Sequence, residues 1–296
     1  MDKTGVSRSL NVVLWIVAVA LMLGTAYYQR RTGPSYPLRG SFEVAGESYR
    51  YSLIRNAVTT GDARVTIPEP RVPVLGELRY RRFRTDDEFT AVPLHAADGQ
   101  LVGLIPSQPA AGKLEYYVHL EGPGGAIRLP DATEGNAVIR FKDPVPLYVL
   151  LPHIVLMFLS MVLGLRTGLA ALFAPAQMRR LAWITLGGMT VGGLILGPIA
   201  QKYAFGAFWT GFPYGYDLTD NKVLIMWLVW VVACAALGFK PRGRERLARA
   251  VTALAAAVVV IVYAIPHSAQ GSELDWEEVD RGVPASEAIK TGKPGT

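Results

Sequence analysis

Long apolar runs separated by polar segments divide the chain into a membrane part and a soluble part. A helix needs about 20 predominantly apolar residues to cross a bilayer, and five runs reach that length: Leu10–Tyr28, Val145–Leu165, Leu181–Ala200, Val223–Phe239 and Leu247–Pro266. Lys3 and Arg8 precede the first run, as in a signal peptide, but its apolar core is long and no small-x-small cleavage site follows it. We therefore expect residues 1–29 to form an uncleaved anchor.

Residues 30–144 have a different pattern. Short β-rich runs alternate there with turn signals such as Gly61-Asp62 and Asp98-Gly99. The runs are Tyr49–Ile54, Ala63–Ile67, Glu77–Phe83, Leu101–Ile105, Leu114–Leu120 and Val138–Phe141. Strands at a spacing of roughly 8–12 residues predict an all-β sandwich.

One stretch of this region supports that prediction. The sequence ELRYRRFRTDDEFTAVPLHAADGQLVGLIPSQPAAGKLEYYVHLEG is similar to bacterial immunoglobulin-like and fibronectin type III-like modules. In those modules a YYR…W…VPL/M hairpin leads through IPxQPxG to a YYV strand, and Phe89 stands here in place of the Trp. The resemblance implies an immunoglobulin-like fold and no particular activity.

The charged residues orient the spans. The net charge is +6, but many basic residues flank apolar runs, which argues against a nucleic-acid partner. Arg166–Arg180 holds three basic residues and no acid, and Lys240–Arg249 holds five against Glu245 alone, so we expect both segments in the cytoplasm. This places the N-terminus inside a bacterial inner membrane, with residues 30–144, the loop 201–222 and the acidic tail in the periplasm. Arg30 and Arg31 oppose this orientation.

These patterns predict a membrane α-helical bundle of about five spans with an inserted, immunoglobulin-like all-β sandwich on the periplasmic side. Residues 145–267 form the four-helix transmembrane region, and residues 268–296 form an acidic tail with one Trp. This tail either folds back on the loop 201–222 or on Lys202 and Lys222 or, in the plainer interpretation, is solvated and disordered from Gly282. Glycines at small-xxx-small spacing in the third span predict a helix-packing face, and Pro198 is expected to end that helix. The single cysteine, Cys234, excludes an intramolecular disulfide.

The loop between spans three and four is unusually rich in aromatic residues. Tyr203, Phe205, Phe208, Trp209, Phe212, Tyr214 and Tyr216 lie there among glycines. Residues 203–230 distantly resemble the tryptophan-rich WWD segment of cytochrome c maturation proteins that handle haem. Phe205-Gly206-Ala207-Phe208-Trp209 matches WGxxW, Asp217 matches the aspartate, and Leu224 with Trp227 matches LxxW. Extra residues, Phe212–Gly215, separate Trp209 from Asp217, and the Glu-Thr element is absent unless Asp220 substitutes.

The resemblance implies a haem site. In that family two outer-face histidines flank the aromatic segment and ligate the iron. His153 and His267 flank it here, so they would be axial ligands, with Trp209, Phe205, Phe208 and Phe212 as walls and Asp217 orienting a ligand or the loop. Plainer interpretations stay open. Each histidine could bond a carbonyl freed by Pro152 or Pro266, the rings could form an interfacial belt, and Asp217 or Thr219 could cap the fourth helix.

The function that these features favour is a non-catalytic accessory or assembly protein of the inner membrane, in the manner of cytochrome c biogenesis. Its aromatic loop would bind haem or dock an electron-transfer partner, so the expected partners are the lipid bilayer and another membrane or periplasmic protein. The alternative is a structural subunit of a larger membrane complex with no cofactor. An enzyme using Asp217 or Asp220 lacks a recognisable nucleophile or metal set, and a transporter lacks an internal repeat.

Overall fold

The computed structural model describes residues 7–240, 243–266 and 271–290. Within them, five helices are long and apolar enough to cross a membrane by length and composition. They are α1 (Arg8–Thr32), α2 (Leu147–Phe173), a third helix spanning Pro175–Phe205, α5 (Leu218–Leu237) and α6 (Glu245–Ala264). Each corresponds to one predicted run, so the prediction of five long apolar helices is confirmed.

The third helix does not end at Pro198. It consists of α3 (Pro175–Met189), a π-helical segment (Thr190–Leu196) and α4 (Gly197–Phe205). Proline has no N–H and crowds the preceding helical turn, and the wider π turn, closed by the Gly197 N–H on the Gly192 carbonyl, accommodates it. The aromatic loop is therefore shorter than the predicted 201–222 and covers residues 206–217.

The turn between α2 and α3 is a single residue, Ala174, so Arg166 lies inside α2 and not in a connecting segment. Its side chain is fully buried, and its Nη2 donates to Asn11 Oδ1 at 2.7 Å. Leu14 and Met22 of α1 are buried in the same helical core. These contacts make α1 part of the bundle.

Eleven strands lie between α1 and α2. They are β1 (Leu38–Val44), β2 (Glu47–Leu53), β3 (Asn56–Val58), β4 (Ala63–Pro68), β5 (Leu75–Arg82), β6 (Thr90–Pro93), β7 (His95–Ala97), β8 (Gln100–Ile105), β9 (Lys113–Gly122), β10 (Gly125–Leu129) and β11 (Ala137–Lys142). The largest sheet has the order β3-β11-β9-β5-β6, with β10 paired to β9. A second sheet has the order β4-β8-β7, and β1 pairs with β2. Strands β2, β4, β5, β8, β9 and β11 confirm the six predicted β-rich runs.

The sheets share one hydrophobic core. Period-2 burial explains this arrangement, because alternate side chains of a strand point to opposite faces. In β9 the residues Leu114, Tyr116, Val118 and Leu120 are buried while their neighbours are half-buried or exposed. We call this β-layered unit the sandwich.

The segment after α6 folds onto the sandwich. Its described residues, 271–290, form β12 (Glu273–Leu274), α7 (Trp276–Asp280) and β13 (Ile289–Lys290), and β12 pairs with β13. Leu274 and Trp276 are buried in the sandwich core. The interpretation of this segment as a solvated tail, disordered from Gly282, is wrong for these residues, because burying Leu274 and Trp276 offsets the entropy of ordering the chain.

Candidate functional site

A cavity of about 980 Å³ lies between the sandwich and the helices. This volume is at the upper end of the range for sites that hold small molecules. We call it the interdomain cavity. Its sandwich wall includes Arg55, Asn56, Val58, Lys113, Val138, Arg140 and Lys142, and its helix wall includes Leu150, His153, Ile154, Met157, Phe158, Met161, Val223 and Met226.

Strand alternation builds the sandwich wall. Val138, Arg140 and Lys142 are alternate residues of β11 and line the cavity. The residues between them, Ile139 and Phe141, are fully buried in the sandwich core. Strand β11 therefore places one apolar and two cationic side chains over the helices.

The same face continues across two neighbouring strands. Arg140 lies opposite Lys113 of β9 in the antiparallel register and opposite Asn56 of the parallel strand β3. Side chains at directly opposed positions are close neighbours, and like charges there are destabilising. The Lys113–Arg140 pair therefore places two cationic side chains next to each other on the cavity wall.

Counter-charges neutralise only part of this wall. Glu273 Oε2 lies 2.7 Å from Lys113 Nζ and 3.8 Å from a guanidinium nitrogen of Arg84. Among the residues that the structure describes, no carboxylate lies within 4.0 Å of a side-chain nitrogen of Arg55, Arg140 or Lys142.

Removing these cations from water costs free energy. Burial lowers the pKa of the Arg140 guanidinium, against the opposing charges of Asp217 and Glu273. Burial also lowers the pKa of Arg55. Arginine nonetheless stays protonated at neutral pH, so the wall carries buried positive charge that an anion would stabilise.

The acidic residues of the cavity have local partners. Asp143 accepts a hydrogen bond from Thr59. Asp217 is the N-cap of α5, and its carboxylate accepts from the Thr219 and Asp220 backbone amides. Asp220 Oδ2 accepts the backbone N–H groups of Thr210 at 2.6 Å and of Gly211 at 3.0 Å. These contacts fix α5 and the aromatic loop, and they confirm Asp217 as the helix cap.

The α2 face of the helix wall is an apolar groove apart from His153, and the start of α5 adds the polar residues Asp217, Asp220 and Lys222 to the lining. On α2 its lining residues run from Leu150 to Met161 at helical spacing, a distance of about 16 Å at 1.5 Å per residue. Gly193 and Gly197 line the same groove. A Cβ on Gly193 would lie 2.9 Å from Val223 Cγ1, so glycine there allows the third helix to approach α5 closely.

His153 is half-buried and lies within this groove. Its Nδ1 is 2.8 Å from the Gly192 carbonyl oxygen, and since a carbonyl only accepts, Nδ1 carries the proton. The carbonyl belongs to the π-helical segment and not to the turn before Pro152. His267, the second predicted axial ligand, lies outside the described residues, so the distance between the two imidazoles stays untested.

The remaining predicted site residues divide into two groups. Phe205 and Asp217 line the cavity with His153, and the Arg140 guanidinium carbon lies 4.1 Å from the centre of the Phe205 ring. Trp209 and Phe208 are not among the cavity-lining residues. Phe208 and Phe212 are largely exposed, and the Trp209 indole donates to the Phe212 carbonyl at 3.0 Å.

Sequence reasoning missed the cationic wall. In the sequence, Arg55, Lys113, Arg140 and Lys142 stand apart from one another and indicate only a positive net charge. The available signal was the alternation in Val138–Lys142, where basic residues occupy one face of a strand whose other face is apolar. The opposition of Lys113 and Arg140 depends on strand register, which this pattern does not specify.

The described residues contain no group of three or more His, Cys, Asp or Glu side chains placed to hold a metal ion. No family model, curated protein or solved structure matches the chain.

Proposed function

We propose that the protein is a non-catalytic accessory protein of a bacterial-type inner membrane that holds an amphiphilic ligand in the interdomain cavity. The observation that carries this proposal is that the cavity has a basic face on the sandwich and, opposite it, a face of α2 that is apolar apart from His153. A ligand with an anionic end and an apolar body complements both sides. A purely apolar ligand would leave the buried Nε donors of Arg55 and Arg140 without an acceptor.

The arrangement of basic residues supports the orientation in this proposal. Arg249 donates to the Ala171 carbonyl and Arg179 to the Leu237 carbonyl, at the end of the bundle away from the sandwich. Basic clusters favour the cytoplasmic side. The N-terminus would then be cytoplasmic, and the sandwich, with its immunoglobulin-like resemblance, would be periplasmic together with residues 271–290.

The aromatic loop fits the outer membrane–water boundary in this orientation. It connects the outer ends of α4 and α5 and is held by Asp220 and by the bond from the Phe212 N–H to Asn221 Oδ1. Its exposed rings are those of Phe208, Phe212, Tyr214 and Tyr216. Such rings suit an interfacial anchor or a contact with another membrane or periplasmic protein.

A cavity-filling substitution tests the proposal. Ala200 lines the cavity, so Ala200→Phe should remove a retained ligand. Ile195 is exposed on the outside of the same helix, and Ile195→Phe is the matched control. Native mass spectrometry of protein released from detergent should show a bound small molecule on the wild type and on Ile195→Phe, and little on Ala200→Phe.

Equal retention by all three proteins would contradict the proposal. If none retains a small molecule and a partner protein co-purifies, the structural-subunit alternative is favoured.

His153 favours haem as a second candidate ligand. Iron-ligating histidines commonly donate their other ring nitrogen to a carbonyl, as His153 does to Gly192, and haem propionates would face the cationic wall. Haem added to the purified protein should then give a Soret band that His153→Ala removes. If wild-type protein gives no Soret band, haem is rejected while the amphiphile site stands.

A further inference from the structure

We infer that the ligand of the interdomain cavity is an anionic phospholipid of the outer leaflet, with its phosphate on Arg55, Arg140 and Lys142 and an acyl chain along α2. This inference rests on the proposed function and names the class of ligand.

The number of cations that make no ion pair with a described residue favours a phosphate over a single carboxylate. Arg55, Arg140 and Lys142 lack a carboxylate within 4.0 Å among the described residues, and Lys113 opposes Arg140 directly across β9 and β11. A phosphate group presents several oxygens around one centre, so more than one cation can bind it at once. Arginine is especially suited to this because its planar fork donates two parallel hydrogen bonds.

Unsatisfied donors on the same wall point to an anionic acceptor. Nε of Arg55 and Nε of Arg140 are buried and have no hydrogen-bond partner in the structure. Arg140 is held in place, because its Nη2 donates to the Ser272 carbonyl at 2.6 Å and its guanidinium stacks on Phe205. Buried polar groups are normally satisfied, and phosphate oxygens would supply the acceptors that these two side chains lack.

The length of the groove along α2 is close to the hydrocarbon thickness of one leaflet. The groove is about 16 Å long, close to half of the roughly 30 Å hydrocarbon core of a bilayer. Met157, Met161 and Met226 line it, and flexible methionine side chains adapt to an irregular apolar chain. The cationic wall lies above the start of α2, at the level of the lipid phosphates in the proposed orientation.

Ligand-dependent thermal unfolding of the full-length protein in detergent tests the inference. The probes are phosphatidylglycerol, phosphatidylcholine with the same acyl chains, oleate and inorganic phosphate. At a concentration far above its Kd, phosphatidylglycerol should raise the Tm by about 5 °C. The other three probes should each raise it by less than half as much.

Variants that each remove one positive charge show which residues the Tm increase depends on. Lys142→Gln and Arg55→Gln should each reduce the Tm increase that phosphatidylglycerol produces by at least half. Lys142 is exposed and Arg55 half-buried, so both variants should fold even where Arg140→Gln fails to. Arg64→Gln is the matched control, because Arg64 is exposed on β4 and does not line the cavity.

The alternative outcomes separate this inference from the proposed function. An equal effect of oleate would assign the site to carboxylate amphiphiles, and an equal effect of inorganic phosphate would reduce it to an anion site; either overturns the phospholipid assignment. Equal stabilisation by phosphatidylcholine would also overturn it, because the Tm increase would then not depend on the net charge of the lipid. If no probe acts and Ala200→Phe retains as much ligand as the wild type, the proposed function fails as well.

Discussion

The carboxylate of Asp217 joins the start of α5 to the C-terminal segment, because its Oδ2 accepts the backbone N–H of Ser272 at 3.0 Å. The Ser272 hydroxyl lies 3.2 Å from the same oxygen and 3.2 Å from Thr210 Oγ1, and the Ser272 carbonyl accepts from Arg140. Helices, aromatic loop and sandwich therefore meet at one buried polar cluster. This cluster fixes the position of the sandwich over the groove.

We expect Asp217→Ala to destabilise the full-length protein by about 2–4 kcal/mol, since it removes a helix cap and leaves the buried Ser272 N–H without its acceptor. Residues 271–290 should also become more sensitive to protease. Thermal unfolding and limited proteolysis check both effects. Asp86→Ala is the control, because Asp86 is exposed. Unchanged stability and unchanged proteolysis would show that the cluster does not hold the segment.

The cluster also illustrates what sequence alone could predict. The five apolar runs and six β-rich runs were recognisable because each has a strong hydrophobic pattern over many residues. The role of Asp217 as a cap was recognisable because it immediately precedes an apolar helix. Its contact with Ser272 joins residues 55 positions apart, and no local pattern encodes such a contact.

The packing of the C-terminal segment could not be predicted from the sequence for a similar reason. Its strands β12 and β13 are two residues long, too short for a recognisable alternation. The acidic residues suggested solvent exposure, but Glu273 pairs with Lys113 and Asp280 with Arg82 of the sandwich. Trp276 was the one residue in the segment whose size indicated burial.

Glu273 acts as an internal counter-ion of the cationic wall, so its removal should strengthen ligand binding. Glu273→Gln leaves the uncharged amide beside Lys113 and Arg84, and affinity for phosphatidylglycerol should rise about fivefold, roughly 1 kcal/mol. Glu277→Gln is the control, because Glu277 pairs with Arg281 and does not line the cavity. A binding titration in detergent measures both. Weaker binding by Glu273→Gln would indicate that this carboxylate organises the site.

Acid should loosen the internal fold of the C-terminal segment, because Asp275 joins its two ends through Lys290. Burial raises the pKa of Asp275, but the hydrogen bond from Lys290 and those from the Glu278 and Glu277 amides outweigh it, so the pKa is below its ordinary value. A group whose pKa is lower in the folded state stabilises that state above its unfolded pKa, about 3.9, and the stabilisation is lost as the pH falls through the folded value.

Hydrogen exchange of residues 271–290 should therefore be constant from pH 7 to about pH 5, after correction for the intrinsic rate, and should increase below about pH 4. Asp275→Asn should raise exchange at neutral pH and reduce this acid response. If the variant and the wild type respond to acid alike, the Asp275–Lys290 pair at 2.8 Å does not control the order of this segment.

The contact of Arg166 with Asn11 should contribute to the docking of α1. Arg166 is fully buried inside the helical bundle and also donates to Gln177. Its hydrogen bond to Asn11 joins a charged donor to an amide oxygen. A double-mutant cycle of Arg166→Ala and Asn11→Ala should give a coupling energy of about 1–3 kcal/mol. A coupling energy near zero would mean that this hydrogen bond does not hold α1 in the bundle.

Photo-crosslinking with a phosphatidylglycerol that carries a diazirine in its acyl chain tests most directly whether a lipid occupies the interdomain cavity. With the full-length protein in lipid nanodiscs, we expect adducts on the groove residues Met157 and Met161, and we expect Lys142→Gln to reduce them at least severalfold while Arg64→Gln does not. Adducts confined to outward-facing residues of the same helix, such as Val155 and Leu159, would contradict a lipid in the interdomain cavity.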